Sequence, residues 1–281
     1  MSQTNRLLGY TANARLLIIN ADDLGMCHAT NTAIFQALAQ GVLSTTTLMV
    51  PCPWAIHAMQ WLRANPDVTF GVHLTLVGDT PHYRYRPLSC RDEVPSLVDE
   101  TGHFYHSARI PELVAQAKTA EVEREFRAQI ETVLAANLTP THLDWHSLRI
   151  HQRPDIFDVM FKLARDYGLA LRVREPSFIH KVQQLGLPCN DYDFLDSTSI
   201  ATEGKSAHYA RLLRDLPVGL SEWALHPALN NAEFQAVDPD GAPVRQADYD
   251  FLMSAQARDL IEQEGIVLLS YRPLQQAWQT R

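Results

Sequence analysis

Two adjacent carboxylates, Asp22 and Asp23, end the apolar run at residues 16–19 in the stretch LLIINADDLG. Two charges this close repel each other unless a cation or strong hydrogen bonds offset the repulsion. An isolated Asp pair before Leu-Gly is also typical of a turn followed by a helix N-cap. The pair therefore indicates a metal site only if further ligands converge on it.

Other ionisable side chains stand at or just beyond the ends of strand-like segments elsewhere in the chain. They are His73, Asp144, His146, Arg172 and His226. The carboxyl ends of parallel barrel strands are the rim where barrel enzymes carry their active sites. Each histidine alone could be a buried core residue. As a set drawn from strands far apart in sequence, these residues indicate an active site.

Strand-like and helix-like segments alternate along the chain and must position these residues. Together they make seven or eight β/α units. This alternation predicts an α/β fold with a parallel sheet, namely a (β/α) barrel that is TIM-like and either distorted or seven-stranded. Neither GxGxxG nor GxxxxGK[ST] follows the first strand, which argues against dinucleotide and P-loop chemistry. We expect one domain over residues 1–281, with a loop insertion at about 77–110.

Helical patterns over residues 111–136 and 248–263 predict one long helix in each segment. The segment 175–202 has no clear periodicity beyond a short strand expected at 193–197.

The composition and net charge of the chain indicate which partners and which cellular compartment to expect. The chain has 281 residues, 46% of them hydrophobic, and a net charge of -8, which argues against a nucleic-acid partner. No apolar run reaches the roughly 18 residues of a membrane span, and no signal-peptide pattern begins the chain. The four cysteines form no CxxC pair. We therefore expect a cytoplasmic protein with reduced thiols and no membrane partner.

Five strings occur in one order over most of the chain: INADDLG, STTTLMV, FGVHLTL, THLDWHSLRIH and SEWALHPA. Together they resemble the successive motifs of the YdjC-like (ChbG-type) carbohydrate deacetylase family. The resemblance implies a barrel-like fold related to polysaccharide deacetylases, a divalent metal ion and removal of acetyl groups from N-acetylated sugars. It also implies that Asp23, His73 and His146 bind the metal, that Asp22 is the catalytic carboxylate, and that His226 is the family's C-terminal histidine.

The residue types of such a site indicate metal-assisted hydrolysis. Two imidazoles and one carboxylate leave open positions on a divalent ion, as in a catalytic site, and water bound there becomes a usable nucleophile. Hydrolysis of an amide needs a base, a cation at the oxyanion and an acid. We expect Asp22 to be the base, the metal to stabilise the oxyanion, and His226 to protonate the departing sugar amine.

Supporting roles are expected for four more residues. Asp144 would hold a ligand imidazole in its correct tautomer, and Arg172 would orient Asp22 or a substrate oxygen. His142 is expected to support the site or the fold rather than bind metal. Trp145, like the loop aromatics Tyr83, Tyr85 and Phe104, would either stack on a sugar ring or pack in the core. Cys27, close to the Asp pair, is expected to be a buried thiol.

Two alternative functions remain: a metal-dependent phosphoesterase, which would need ligands for a second ion, and a non-catalytic sugar-binding protein on the same fold. The expected cofactor is one divalent ion, with nitrogen ligands favouring zinc and the family resemblance also allowing magnesium. The expected partner is a small acetylated sugar or oligosaccharide, and a homodimer is compatible with these expectations.

Overall fold

A parallel β-sheet built around the first strand organises the molecule in the computed structural model, which describes residues 2–280. Nine of the ten residues of this strand are buried, as expected for a strand covered on both faces. The strands are β1 (Arg15–Leu24), β2 (Thr45–Leu48), β3 (Phe70–Leu74), β4 (Val77–Gly78), β5 (Tyr105–His106), β6 (His142–Trp145), β7 (Ala170–Leu171), β8 (Leu195–Asp196), β9 (Gly219–Leu225) and β10 (Val267–Leu268).

The main sheet runs in the order β7-β6-β3-β2-β1-β9-β8, and every pairing in it is parallel. Strand β10 pairs with the first half of β1, whose second half pairs with β2. Within residues 2–280 the edge strands β7 and β8 do not pair with each other, so the sheet is curled rather than closed. The predicted α/β fold with a distorted, barrel-like parallel sheet is thus confirmed, in the form of a half-barrel with seven strands in its main order and β10 paired beside β1.

Twelve helices of the described chain connect and cover these strands. They are α1 (Gln3–Leu7), α2 (His28–Gln40), α3 (Ala55–Ala64), α4 (Ile110–Gln116), α5 (Thr119–Ala135), α6 (Pro154–Asp166), α7 (Pro176–Gln184), α8 (Lys205–Arg214), α9 (Ala232–Val237), α10 (Ala242–Met253), α11 (Ala255–Gln263) and α12 (Arg272–Gln279). In residues 2–280, no helix has both the length and the apolar character required to cross a membrane.

The prediction of one long helix over residues 111–136 and another over 248–263 is wrong, because each segment contains two shorter helices. The first divides between α4 and α5, where Ser96 Oγ accepts a 3.0 Å hydrogen bond from the backbone N–H of Lys118. The second divides at Ser254, whose side chain caps α11 by accepting a hydrogen bond from the Ala257 N–H. In both places a serine hydroxyl satisfies a backbone donor at the start of the next helix.

The expected insertion at 77–110 contains β4 and β5, which form a small parallel sheet of their own. Ser107 Oγ also donates a 2.6 Å hydrogen bond to the Asp79 carbonyl oxygen. These contacts hold the beginning and end of the segment together beside the end of β3.

Candidate active site

The five residues predicted to bind metal or catalyse the reaction converge at the carboxyl-terminal side of the sheet. Asp22 and Asp23 come from β1, His73 from β3, His146 from the residue after β6, and His226 from the residue after β9. All five line one cavity of about 690 Å³. A parallel sheet places the ends of its strands at one edge, so residues distant in sequence meet there.

The backbone of β1 is irregular at the Asp pair. Its pairing with β2 changes register between Ala21 and Leu24, and Asp23 adopts a left-handed φ of 70°. Neighbouring side chains of a regular strand point to opposite faces, whereas a bulge re-aims one of them. This irregularity allows both carboxylates to line the same cavity. A left-handed backbone is uncommon for a residue other than glycine, but aspartate tolerates it better than most.

Asp23, His73 and His146 form a compact buried group of three ligand-type side chains, whose ligand atoms lie within 4.8 Å of one another. Oδ1 of Asp23 lies 3.3 Å from His73 Nε2 and 3.0 Å from His146 Nδ1. Asp23 Oδ2 and His146 Nε2 are buried and make no hydrogen bond, although Arg245 and Asp79 lie within ion-pair distance of them. A buried carboxylate and two buried imidazoles fit a divalent cation with open coordination positions.

Carboxylates orient both imidazoles of this group. Asp144 Oδ1 lies 2.7 Å from His73 Nδ1, and Asp79 Oδ1 lies 3.1 Å from His146 Nε2. Burial alone lowers the pKa of each imidazole, but the neighbouring carboxylates outweigh it and raise the pKa of His73 to about 9 and that of His146 to about 10. Such carboxylate–histidine contacts are the usual means of fixing a ligand imidazole.

Asp22 is held by Arg172, which donates one 2.8 Å hydrogen bond to each of its two carboxylate oxygens. Burial raises the pKa of Asp22, but Arg172 and the His73 imidazole more than offset this effect, so the pKa lies below its usual value. The same guanidinium is 2.8 Å from Asp144 and 2.7 Å from Glu222. Arg172 therefore keeps Asp22 ionised and fixes its orientation.

His226 lies beside Asp22 in the cavity. Its Nε2 lies 3.8 Å from Asp22 Oδ2, and its side chain is 12% exposed. Its Nδ1 lies 2.9 Å from the hydroxyl of Ser197. The imidazole thus has one nitrogen anchored in the protein and one that borders the space available to a ligand.

The structure places the remaining predicted residues in different environments. Trp145 lines the cavity. His142 is buried and stacked on Tyr271 at 3.6 Å between ring centroids, and it is not a member of the three-residue ligand group. Gly71 makes this possible, since a Cβ there would lie 2.7 Å from the His142 ring. Cys27 is buried, as expected.

The loop aromatics are packing residues. Tyr85 and Phe104 are buried in the core, and Tyr83 donates a 2.6 Å hydrogen bond to the Met26 carbonyl oxygen.

Three charged or aromatic residues of the cavity are not among the predicted site residues. Asp79 belongs to the 77–110 insertion, Phe194 to the short strand expected at 193–197, and Arg245 to α10. Arg245 Nη1 lies 2.7 Å from Asp23 Oδ2, and although burial raises the pKa of Asp23, Arg245 and His146 bring it well below its usual value. Phe194 contacts Trp145 edge-on, with 6.2 Å between ring centroids. None of the three lies in a motif or at the end of a predicted strand that would have identified it.

Comparison with known proteins gives a match to the family described as YdjC-like protein over residues 16–263. A carbohydrate deacetylase of Thermus thermophilus is 37% identical over 257 residues, which cover 88% of this chain and 89% of that protein. A carbohydrate deacetylase of Enterococcus faecalis is 32% identical over 269 residues, covering 92% and 97% of the two chains.

A crystal structure from Enterococcus faecalis, provisionally described as a cellobiose-phosphate cleavage protein, has the same fold. It superposes with a TM-score of 0.80 at 29% identity, and the match covers 93% of this chain and 99% of that one.

Proposed function

This chain belongs to the YdjC-like protein family, and we propose that it is a metal-dependent deacetylase that removes the N-acetyl group from an acetylated amino sugar or short oligosaccharide. The observation that carries the proposal is the placement of Asp22 and His226 side by side in one cavity, next to the buried group of Asp23, His73 and His146. A base, an acid and a cation-binding group together are what amide hydrolysis requires.

Asp23, His73 and His146 would hold the ion, since all three are buried and their ligand atoms lie within 4.8 Å of one another. When bound, a divalent cation acts as a Lewis acid that makes water more acidic and offsets negative charge on the attacked carbonyl oxygen. Nitrogen donors favour Zn²⁺, while the carboxylate also accommodates Mg²⁺. The position of Arg245 beside Asp23 adds a second positive charge at this end of the cavity.

Asp22 would take the proton of the attacking water. A base must be ionised, and Asp22 is, because Arg172 and the His73 imidazole outweigh the effect of burial and keep its pKa below its usual value. His226 would give a proton to the amine nitrogen as the C–N bond breaks, since it lines the cavity with its Nε2 beside Asp22. The hydroxyl group of the water thereby becomes part of the acetate, and its other proton is transferred to the free amine.

The substrate assignment rests on the cavity and on the relatives. A cavity of about 690 Å³ is in the usual range for small-molecule sites. Trp145 and Phe194 supply aromatic side chains to the cavity wall, against which a sugar ring can pack. A relative from Yersinia enterocolitica, 31% identical over 177 residues that cover 63% of this chain and 64% of its own, is a chitooligosaccharide deacetylase.

The phosphoesterase alternative is disfavoured by the place where a second ion would bind. Asp22, His73 and Asp144 form a second group with ligand-like spacing. Arg172 already occupies this group, at 2.8 Å from each of the two carboxylates. A second cation there would have to displace a buried guanidinium from its ion pairs, which is costly.

We further propose that the enzyme acts in the cytoplasm, because Cys90 is an exposed free thiol of the kind that persists in a reducing compartment. A homodimer is compatible with this proposal, and sedimentation of the purified protein tests it.

The direct test is acetate release from N-acetylglucosamine, its phosphate and short chitooligosaccharides, after chelation and after adding back Zn²⁺ or Mg²⁺. We expect release that disappears with the chelator and returns with one of the ions. Asp22→Asn should reduce kcat by about 10²- to 10⁴-fold while the bound metal remains, as measured by elemental analysis. The exposed change Asp259→Asn is the matched control. Full activity of Asp22→Asn would disprove the mechanism.

A further inference from the structure

A buried polar cluster anchors the Nδ1 side of His226. It consists of Ser197 and Asp248, each 0% exposed, together with Lys205 and Tyr209. Nδ1 of His226 lies 2.9 Å from Ser197 Oγ, and Ser197 donates a 2.6 Å hydrogen bond to Asp248 Oδ2. The serine hydroxyl thus connects the imidazole to the carboxylate.

Asp248 has donors at all of its acceptor positions. Oδ1 accepts a 2.7 Å hydrogen bond from the Tyr209 hydroxyl and lies 2.7 Å from Lys205 Nζ. Oδ2 accepts hydrogen bonds from Ser197 and, at 3.0 Å, from the backbone N–H of His226. An ionised carboxylate offers about four such positions. Asp248 therefore acts only as an acceptor, and the direction of the Ser197 hydrogen bond follows from it.

A serine hydroxyl has one proton to donate. Because Ser197 donates its proton to Asp248, its oxygen must accept from His226, so Nδ1 of His226 carries the hydrogen. The neutral imidazole then has a free lone pair on Nε2, which lies 3.8 Å from Asp22 Oδ2. Lys205 balances the charge of Asp248, so the cluster sets the orientation and tautomer of the ring rather than placing a net negative charge behind it.

We propose that Ser197, backed by Asp248, is a positioning residue that fixes His226 as the Nδ1–H tautomer and presents Nε2 to the departing amine. This inference rests on the proposed deacetylase function. In each turnover the proton that Asp22 takes from water passes to the free lone pair of His226 Nε2, and from there to the amine nitrogen as the C–N bond breaks. His226 ends the turnover as the same neutral tautomer, so no other reactant is needed.

The test compares Ser197→Ala with Ser197→Thr, which keeps a hydroxyl, and with the nearby exposed change Ser199→Ala as a control. Asp248 is left intact, because its removal would leave Lys205 buried without a counter-ion. We expect Ser197→Ala to lower kcat for acetate release about 10- to 100-fold with KM changed less than about twofold, because lost support for a positioned side chain typically costs this much. Ser197→Thr should recover most of kcat, and Ser199→Ala should match the wild type.

A second measurement reports on the tautomer without relying on activity. Nitrogen NMR of the ¹⁵N-histidine-labelled, metal-loaded protein identifies which ring nitrogen of His226 carries hydrogen, with the signals assigned by their loss in His226→Asn. We expect the Nδ1–H form in the wild type and in Ser197→Thr, and a shift toward the Nε2–H form in Ser197→Ala.

An unchanged tautomer in Ser197→Ala overturns the inference, whether or not kcat falls, because a merely structural serine would leave the tautomer as it is. Wild-type kcat in Ser197→Ala overturns it as well. If the wild type releases no acetate from any substrate, the proposed function fails. The NMR comparison then still decides whether Ser197 fixes the ring.

Discussion

The Arg172 guanidinium and the Asp22 carboxylate meet as a bidentate pair, with two hydrogen bonds of 2.8 Å. Arg172 is 1% exposed and also contacts Asp144 and Glu222, so one buried cation holds three carboxylates in place. Glu222 is in turn held by the Tyr271 hydroxyl, which donates a 2.6 Å hydrogen bond to it. The orientation of the proposed base is therefore set from inside the sheet rather than from the cavity.

Arg172→Met should destabilise the protein by about 3–5 kcal/mol, because it leaves three buried carboxylates without their cation. Arg172→Lys keeps the charge but loses the bidentate geometry, so a smaller loss of stability with a clear loss of kcat is expected. Urea denaturation measures the first effect and acetate release the second. The exposed control Arg211→Met should stay within about 0.5 kcal/mol of the wild type. An Arg172→Met protein as stable as this control would contradict the prediction.

Asp79→Asn should weaken binding of Zn²⁺ about 10- to 100-fold, since the carboxylate lies 3.1 Å from His146 Nε2 and supports a proposed ligand. Competition with a chromophoric chelator measures the affinity. Asp92→Asn, an exposed change in the same insertion, is the control. Equal affinities in the two variants would show that Asp79 does not support the ion.

Metal affinity should rise with pH. Burial lowers the pKa of His73 and His146, but nearby carboxylates bring these pKa values to about 9 and about 10, so both imidazoles are protonated at pH 7 without metal. Because an ion binds only the neutral imidazole, its binding should displace a proton from each. Calorimetric titration with Zn²⁺ at pH 7, in two buffers of different ionisation enthalpy, counts these protons. A His28→Gln control should give the same count, and a count of zero would refute the prediction.

The same two pKa values give the metal-free protein a characteristic pH dependence. Both lie above the value of about 6.5 expected for an unfolded histidine. The stabilisation from these groups is therefore fully present below about pH 6.5 and is lost as pH rises through about 9 to about 10. Thermal unfolding between pH 6 and pH 10, with chelator present, should show this loss. Added Zn²⁺ should reduce it.

Phe194→Ala should raise KM for a chitooligosaccharide about tenfold, with a smaller effect on kcat, if the ring forms part of the sugar-stacking surface. Phe194 lines the cavity, while Tyr192, two residues earlier, does not, so Tyr192→Ala is the matched control. A KM equal to that of the control would remove Phe194 from the proposed substrate surface.

Much of the fold and part of the site could be predicted from the chain alone. The apolar run before Asp22 and the alternation around His73 identify buried strands with a polar residue at the end, because a strand repeats every two residues. The positions of Ser96 and Ser254 at helix breaks were not recognised, since the apolar periodicity continues across both breaks. The 175–202 segment predicts only a short strand at 193–197, where the structure has β8, and nothing in that pattern indicates that Phe194 and Ser197 belong to the site.

The sequence by itself determined which side chains can bind an ion or move a proton, and that they end parallel strands. It could not determine that Asp22 and Asp23 both line the cavity, because regular alternation would separate them; the register change in β1 and the left-handed Asp23 decide this. Tertiary structure alone brings Asp79, Arg245 and Ser197 to the site. Their contacts span long separations in sequence, and local patterns carry no information about such contacts.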